Sequence, residues 1–162
     1  MSKYKETFES LYEQYWQRIY RLALGYVNDV DWAKDIAQET FVNVWNQLPK
    51  FRADSGYGTW IYRIAVNICL RQIERSKKVM PDESKIRQSK SVEEEYKETN
   101  TQKLYQAISE LTEINRIIIS LTLEGVDQKQ IADVTGLTHA NVRTRVHRIK
   151  EELYQKLNNY GK

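Results

Sequence analysis

Apolar and aromatic positions fall at steps of three and four along most of this chain, the spacing that lines up one face of an α-helix. Phe8, Leu11, Tyr12, Tyr15, Ile19, Leu22, Ala23 and Tyr26 make one such face, and the run breaks near Gly25, Asn28 and Asp29. A second helical run covers Asp31 to Leu48, with Ala33, Ala37, Thr40, Phe41, Val44 and Leu48 on its inner side. Its other side carries Asp31, Asp35, Gln38, Glu39, Val42 and Asn46, so an acidic and amide-bearing surface faces outward with no basic residue at i+4 from Asp35 or Glu39. Pro49 ends that helix, and Phe51 to Gly58 reads as a loop. A third helix is expected from Thr59, a plausible cap, with Ile61, Ile64, Ala65, Ile68 and Gln72 inward. Trp60, Arg63, Asn67 and Arg71 form an outward stripe, and Arg75, Lys77 and Lys78 carry the positive charge onward.

From Ser76 to about Gln102 the periodicity fades and Ser, Lys and Glu dominate, with Pro81 among them; this composition predicts a flexible linker between two domains. The Glu93 to Glu95 run reads as solvated charge. Beyond it, Leu104, Ala107, Ile108 and Leu111, then Ile117, Ile118, Leu121 and Leu123, predict two helices parted near Thr112 to Asn115, with Gly125 as a stop. Ile131, Ala132 and Val134 begin a short helix that Gly136 turns into another, capped by Thr138. In that last helix Val142, Val146, Ile149 and Leu153 hold a narrow apolar face. Two short helices joined at a glycine turn, the second with a basic outer side, form a helix-turn-helix pattern. The expected fold class is all-α: two small helical domains, the C-terminal one a helix-turn-helix domain of four helices.

Bulk properties narrow the functional classes. The net charge of +3 over 162 residues points to nucleic acid only where basic residues cluster. They do cluster, since His139 to Lys150 contains no acid. Cys69 has no second cysteine to pair with, no leader-like segment opens the chain and no apolar run is long enough to cross a membrane, which predicts a cytoplasmic setting. Catalysis finds no footing: His139 and His147 stand eight positions apart, Cys69 lies on a helix expected to be packed, and no metal-ligand spacing or phosphate loop occurs. A non-enzyme without cofactor or metal is expected.

Recognition helices present their first turns to base edges, where Arg suits guanine and Asn suits adenine. Ala140, Asn141, Arg143 and Thr144 occupy those turns, with His147 and Arg148 on the same side, while Arg145 and Lys150 are expected nearer the flank, against phosphates. The Trp60 stripe beside its loop suits nucleic acid whose bases are unstacked. A dimeric helix-turn-helix regulator on a palindromic site remains an alternative, and a protein that only sequesters a partner is a remoter one.

Both halves resemble one family, the extracytoplasmic-function sigma factors, subunits of bacterial RNA polymerase. Asp31-Trp-Ala-Lys-Asp35-Ile-Ala-Gln38-Glu39-Thr-Phe41 is similar to the family's D-x-A-E-D-x-x-Q-E-x-F segment, with Lys34 where an acid is usual. The resemblance implies that Asp31, Asp35, Gln38, Glu39 and Val42 meet the clamp helices of the polymerase largest subunit. Trp60-Ile-Tyr-Arg63-Ile-Ala-Val-Asn67 resembles the W-L-x-x-I-A-x-N helix, which implies that Phe51, Arg52, Trp60, Arg63, Asn67 and Arg71 serve the −10 promoter element, with the 51–58 loop as the pocket for an unstacked base. The chain departs from many members in carrying Arg71 and Glu74 where they have an Asp and an Arg pair. Asp127-Gln-Lys-Gln-Ile131-Ala132 stands where many members have Tyr-x-Glu-Ile-Ala, and Thr138-His-Ala-Asn141-Val142 takes the place of S-x-x-x-V. That implies a −35 reader using Thr138, Ala140, Asn141, Arg143, Thr144, Arg145, His147 and Arg148. The implied domains are region 2 over 1–78, a linker over 79–102 and region 4 over 103–162, with core polymerase and promoter DNA as partners. The resemblance also admits an anti-sigma protein as a further partner.

Overall fold

The structure, a computed structural model, describes residues 2–52, 56–79 and 99–160, with 2, 73–79, 99 and 160 described by backbone alone. Among them are seven α-helices and no strand: α1 (Ser2–Val27), α2 (Val30–Gln47), α3 (Tyr57–Val79), α4 (Thr99–Ser109), α5 (Glu113–Leu123), α6 (Gln128–Thr135) and α7 (His139–Tyr160). A single 3-10 turn, Leu48–Lys50, follows α2 with Pro49 near its start. The first three helices pack mutually, and α7 serves as the spine for α4, α5 and α6. The core is buried as the periodicity requires: Ile19, Leu22, Ile36, Ala37 and Val44 in the first half, Ile108, Ile117, Ile131 and Val142 in the second are all fully enclosed. Each such Ile, Leu or Val contributes roughly 1.5–3 kcal/mol relative to exposure.

Several boundaries depart from the sequence-based expectation for identifiable reasons. α1 runs straight through Gly25 and stops at Asn28, whose φ of 51° takes the left-handed conformation that asparagine tolerates better than most residues. Asp29 then caps α2, its Oδ1 accepting from Trp32 N at 2.9 Å. α3 begins at Tyr57, so Thr59 is not its cap; Thr59 lies inside the first turn and is buried. α4 starts at Thr99, which makes residues 99–102 of the predicted linker helical, while 80–98, including Pro81 and Glu93 to Glu95, lie outside the described residues. The α4–α5 break falls at Glu110–Thr112, ahead of the predicted place. Leu123, expected in the core, is 52 % exposed because α5 ends there and turns at Gly125.

The helix-turn-helix geometry follows the pattern closely. Asp127 caps α6 by accepting from Gln130 N at 2.8 Å. Gly136 closes α6 at φ 85°, a conformation that a β-carbon disfavours. Thr138 Oγ1 accepts from Asn141 N at 3.0 Å and caps α7. Val142, Val146, Ile149 and Leu153 are buried together, which fixes which side of α7 faces outward.

Candidate polymerase and nucleic-acid interfaces

The first surface is the outer side of α2. Asp31, Asp35, Gln38 and Val42 are exposed, as the helical wheel requires. Glu39 is half-buried instead, because Gln72 of α3 donates through Nε2 to Glu39 Oε1 at 3.1 Å. The same Gln72 accepts from Trp32 Nε1 at 3.1 Å, so one amide ties two positions of α2 to α3. The acidic stripe continues into exposed apolar surface, with Val42 58 % and Trp45 44 % exposed. Trp45 stacks edge-on against Phe8, with ring centres 5.3 Å apart, so its indole is held rather than loose. Acid and exposed aromatic together on one helix face are what a protein partner covers.

The second surface gathers three aromatic rings around the loop before α3. Phe51 stacks on Tyr57 with centroids 4.5 Å apart and an interplanar angle of 23°, and Trp60 lies 4.7 Å from Phe51. Rings arranged this way present a stacking platform for a base. Arg52, Asn67 and Arg71 are exposed, the last about three turns along α3 from Trp60. Trp60 and Arg63 are half-buried, and Arg63 Nη2 reaches the main-chain oxygen of Asp133 in α6 at 3.4 Å. Residues 53–55 of the predicted pocket and the side chains of Arg75, Lys77 and Lys78 lie outside the described residues.

The third surface is α7. Thr138, Ala140, Asn141, Arg143, Thr144, His147 and Arg148 are all exposed on its outer side. Arg145 differs from the expectation of a flanking phosphate contact. Its Nε donates to Asn141 Oδ1 at 2.7 Å and its Nη1 to Asn115 Oδ1 of α5 at 2.9 Å, so it is partly buried and bridges two helices. With Asn115 as a wall, the residues of the first two turns line an open depression of ≈ 500 Å³. Guanidinium and amide groups fixed by such bonds are pre-oriented hydrogen-bond donors.

Catalytic chemistry has no corresponding arrangement among the described residues. No group of three His, Cys, Asp or Glu side chains that could hold a metal ion occurs there. Cys69 is fully buried, and burial pushes its thiol up to about 12, which keeps it protonated and unreactive at neutral pH. No described helix is long and apolar enough to cross a membrane.

Both halves of the chain are similar to known proteins. The family profile for Sigma-70 region 2 matches residues 11–79, and that for Sigma-70, region 4 matches residues 101–153. The chain is 34 % identical over 135 residues to the RNA polymerase sigma factor SigV of Bacillus subtilis, covering 82 % of this chain and 80 % of that one. The chain belongs to the extracytoplasmic-function sigma factors of the sigma-70 family. A second Bacillus subtilis relative, the RNA polymerase sigma factor YlaC, is 28 % identical with 93 % of this chain and 92 % of the relative aligned. In fold, the chain is similar to the sigma factor RpoE of Bartonella quintana, solved in complex with the anti-sigma factor NepR. That match has a TM-score of 0.80 at 20 % identity and covers 94 % of this chain and 98 % of the other.

Within this sigma factor, the α2 stripe, the aromatic loop and the α7 face are three separate surfaces. Three further residues belong with them. Trp45 follows Gln38 by seven and Val42 by three, the spacing of one helix face, so the sequence itself carries the signal. Tyr57 could have been singled out as the aromatic next to two glycines in the loop. Asn115 gave no signal, because its role depends on how α5 packs against α7.

Proposed function

We propose that this sigma factor binds core RNA polymerase through the α2 stripe of Asp31, Asp35, Gln38, Glu39 and Val42, joined by Trp45, and against the clamp helices of the largest subunit. Residues 1–78 then act as region 2, with Phe51, Arg52, Trp60, Arg63, Asn67 and Arg71 serving the −10 element. Residues 103–162 act as region 4, reading the −35 element with Thr138, Ala140, Asn141, Arg143, Thr144, His147 and Arg148, while Arg145 orients Asn141. Residues 79–102 join the two readers. Separate surfaces on one tethered chain gain avidity: once polymerase holds one half, the other searches at high effective concentration.

No bond is made or broken by the protein in this role. Energy for strand opening comes from binding exposed bases, at a cost of about a few kcal/mol per unstacked step. The working compartment is the cytoplasm, where polymerase and promoter meet. An anti-sigma protein is a further partner on this reading; the sigma-factor partner in the Bartonella quintana complex supports it by its overall similarity.

The observation that carries the reading is the pairing, in one chain, of the region 2 and region 4 matches with an α2 face on which Asp31, Asp35, Gln38 and Val42 are exposed. Dimeric regulators need the helix-turn-helix but not that stripe. Binding of the purified chain to immobilised core polymerase tests it: the intact chain should bind one-to-one, and a chain that forms a dimer and ignores polymerase would return the regulator alternative.

A further inference from the structure

The Gln72 amide of α3 stands between two side chains of α2 with opposite needs. Trp32 Nε1 is a donor only, and it donates to Gln72 Oε1 at 3.1 Å. An ionised carboxylate is an acceptor only, and Glu39 Oε1 accepts from Gln72 Nε2 at 3.1 Å. A glutamine amide meets both needs on one rigid plane, and the two partners fix which of its ends is oxygen. Methionine, of similar length, would meet neither, and glutamate only the first.

Trp32 and Glu39 lie seven positions apart, about two turns along one side of α2. Both are half-buried, as is Gln72, so the bonds between them are less screened than bonds in open water. The backbone beneath them is fixed as well. Ile36, Ala37 and Thr40 are fully buried, and Asn43 Nδ2 donates to the Glu39 main-chain oxygen at 2.9 Å. Glu39 is thus held by its main chain and by one carboxylate oxygen. Among the described residues its other oxygen, Oε2, has no bonding partner.

This sets Glu39 apart from its neighbours on the stripe. Asp31, Asp35 and Gln38 are exposed, and each loses rotamer freedom when a partner covers it. Glu39 has lost that freedom already, so an acceptor in a set pose is offered at a smaller entropic cost.

We propose that Gln72 is a positioning residue of the polymerase interface: it holds the Glu39 carboxylate in the pose that a donor on core polymerase meets, with Trp32 steadying the amide. This rests on the reading of the α2 stripe given above. Gln72 acts through Glu39, from a neighbouring helix, and its effect is distinct from that of charge. A partner suited to an acidic stripe brings basic groups, and a further carboxylate beside Glu39 would by charge alone attract them more strongly. Gln72→Glu keeps the acceptor for Trp32 but sets a like charge against Glu39 and drives it off its pose. The sign of the change in affinity therefore separates positioning from charge.

The test is titration of core RNA polymerase with the labelled full-length chain and its variants, with urea unfolding of each in parallel. Gln72→Met and Gln72→Glu should each weaken binding by about threefold to tenfold, the scale of one hydrogen bond. In a chain that already carries Glu39→Ala, Gln72→Met should bring no further loss of affinity, because the group it positions is gone. Its effect on the urea midpoint serves as the control, since lost packing would lower affinity equally in both backgrounds. Equal losses with and without Glu39→Ala, or tighter binding by Gln72→Glu, would overturn the proposal. Failure of every form to bind, the parent included, would instead sink the polymerase reading of α2 on which the proposal stands.

Discussion

Glu39 and Gln72 are joined by a 3.1 Å hydrogen bond that crosses from α2 to α3. Through it, α2 and α3 are fastened together, with Trp32 closing the same link from the other side of the amide. Glu39 is accordingly part of the scaffold of the stripe, and the freely presented charges are Asp31 and Asp35.

Asp35→Lys is therefore the substitution of choice on this face. It should weaken binding to core polymerase by about tenfold or more, equivalent to about 1.4 kcal/mol. Loss should be greatest at low salt, since an exposed charge acts through a screened field. Helicity and melting temperature should stay as in the parent, because Asp35 is exposed. Biolayer interferometry at two ionic strengths checks both points.

On α7, Arg143 is exposed in the second turn. Arg143→Ala should cost about 1–3 kcal/mol of specific affinity and relax one position of the upstream element. Selection from a randomised duplex pool gives the answer. Unchanged preference at every position would remove Arg143 from the reading surface.

Asn115→Ala makes a contrasting prediction. The Arg145 guanidinium loses its 2.9 Å bond to α5 and, with it, the restraint it passes on to Asn141. Affinity for the upstream element should fall by about threefold to tenfold, roughly the net value of one ordinary hydrogen bond. Base preference should survive, because no side chain that faces the groove has been removed. A changed preference at one position would mean that Asn115 itself reads DNA.

Much of this was open to inspection in the sequence because it depends on local spacing. Val142, Val146, Ile149 and Leu153 announce the buried side of α7, and with it the exposed one, by helical period alone. Asp31, Asp35 and Gln38 are placed outward by the same reasoning. Elements governed by contacts between distant helices were misread or invisible. Gly25 resembled a helix breaker, since a sequence does not distinguish a glycine that ends a helix from one that admits a neighbour. Thr59 resembled a cap because threonine precedes an apolar run, yet its hydroxyl is engaged by Gln130 from α6. Arg145 resembled a phosphate contact because arginine on a basic helix is usually exposed, whereas two asparagines draw it inward. In each case the deciding partner lies elsewhere in the chain.

Alkaline pH should weaken the fold. Burial raises the Cys69 thiol from its ordinary 9.0 to about 12, and burial also raises the Tyr26, Tyr62 and Tyr105 phenols above their usual value of 10.0. The folded state thus favours the protonated form of each group. Their contribution is complete below the unfolded values and is lost as pH climbs from about 9 toward the folded ones. Urea midpoints should be level from pH 7 to 8.5 on account of these groups and fall between pH 9.5 and 11, to within roughly half a pH unit. Cys69 should also resist alkylation at pH 7.5 until the chain unfolds. A stability that rises over the alkaline range would contradict the burial of these side chains.

The most direct test of the whole account is transcription in vitro by core RNA polymerase, with and without this chain, on a library of random promoter-length duplexes. The account predicts new transcripts starting downstream of two shared motifs about two helical turns apart, reduced with Asp35→Lys and relaxed in the upstream motif with Arg143→Ala. Output equal to that of core polymerase alone across the library would contradict it.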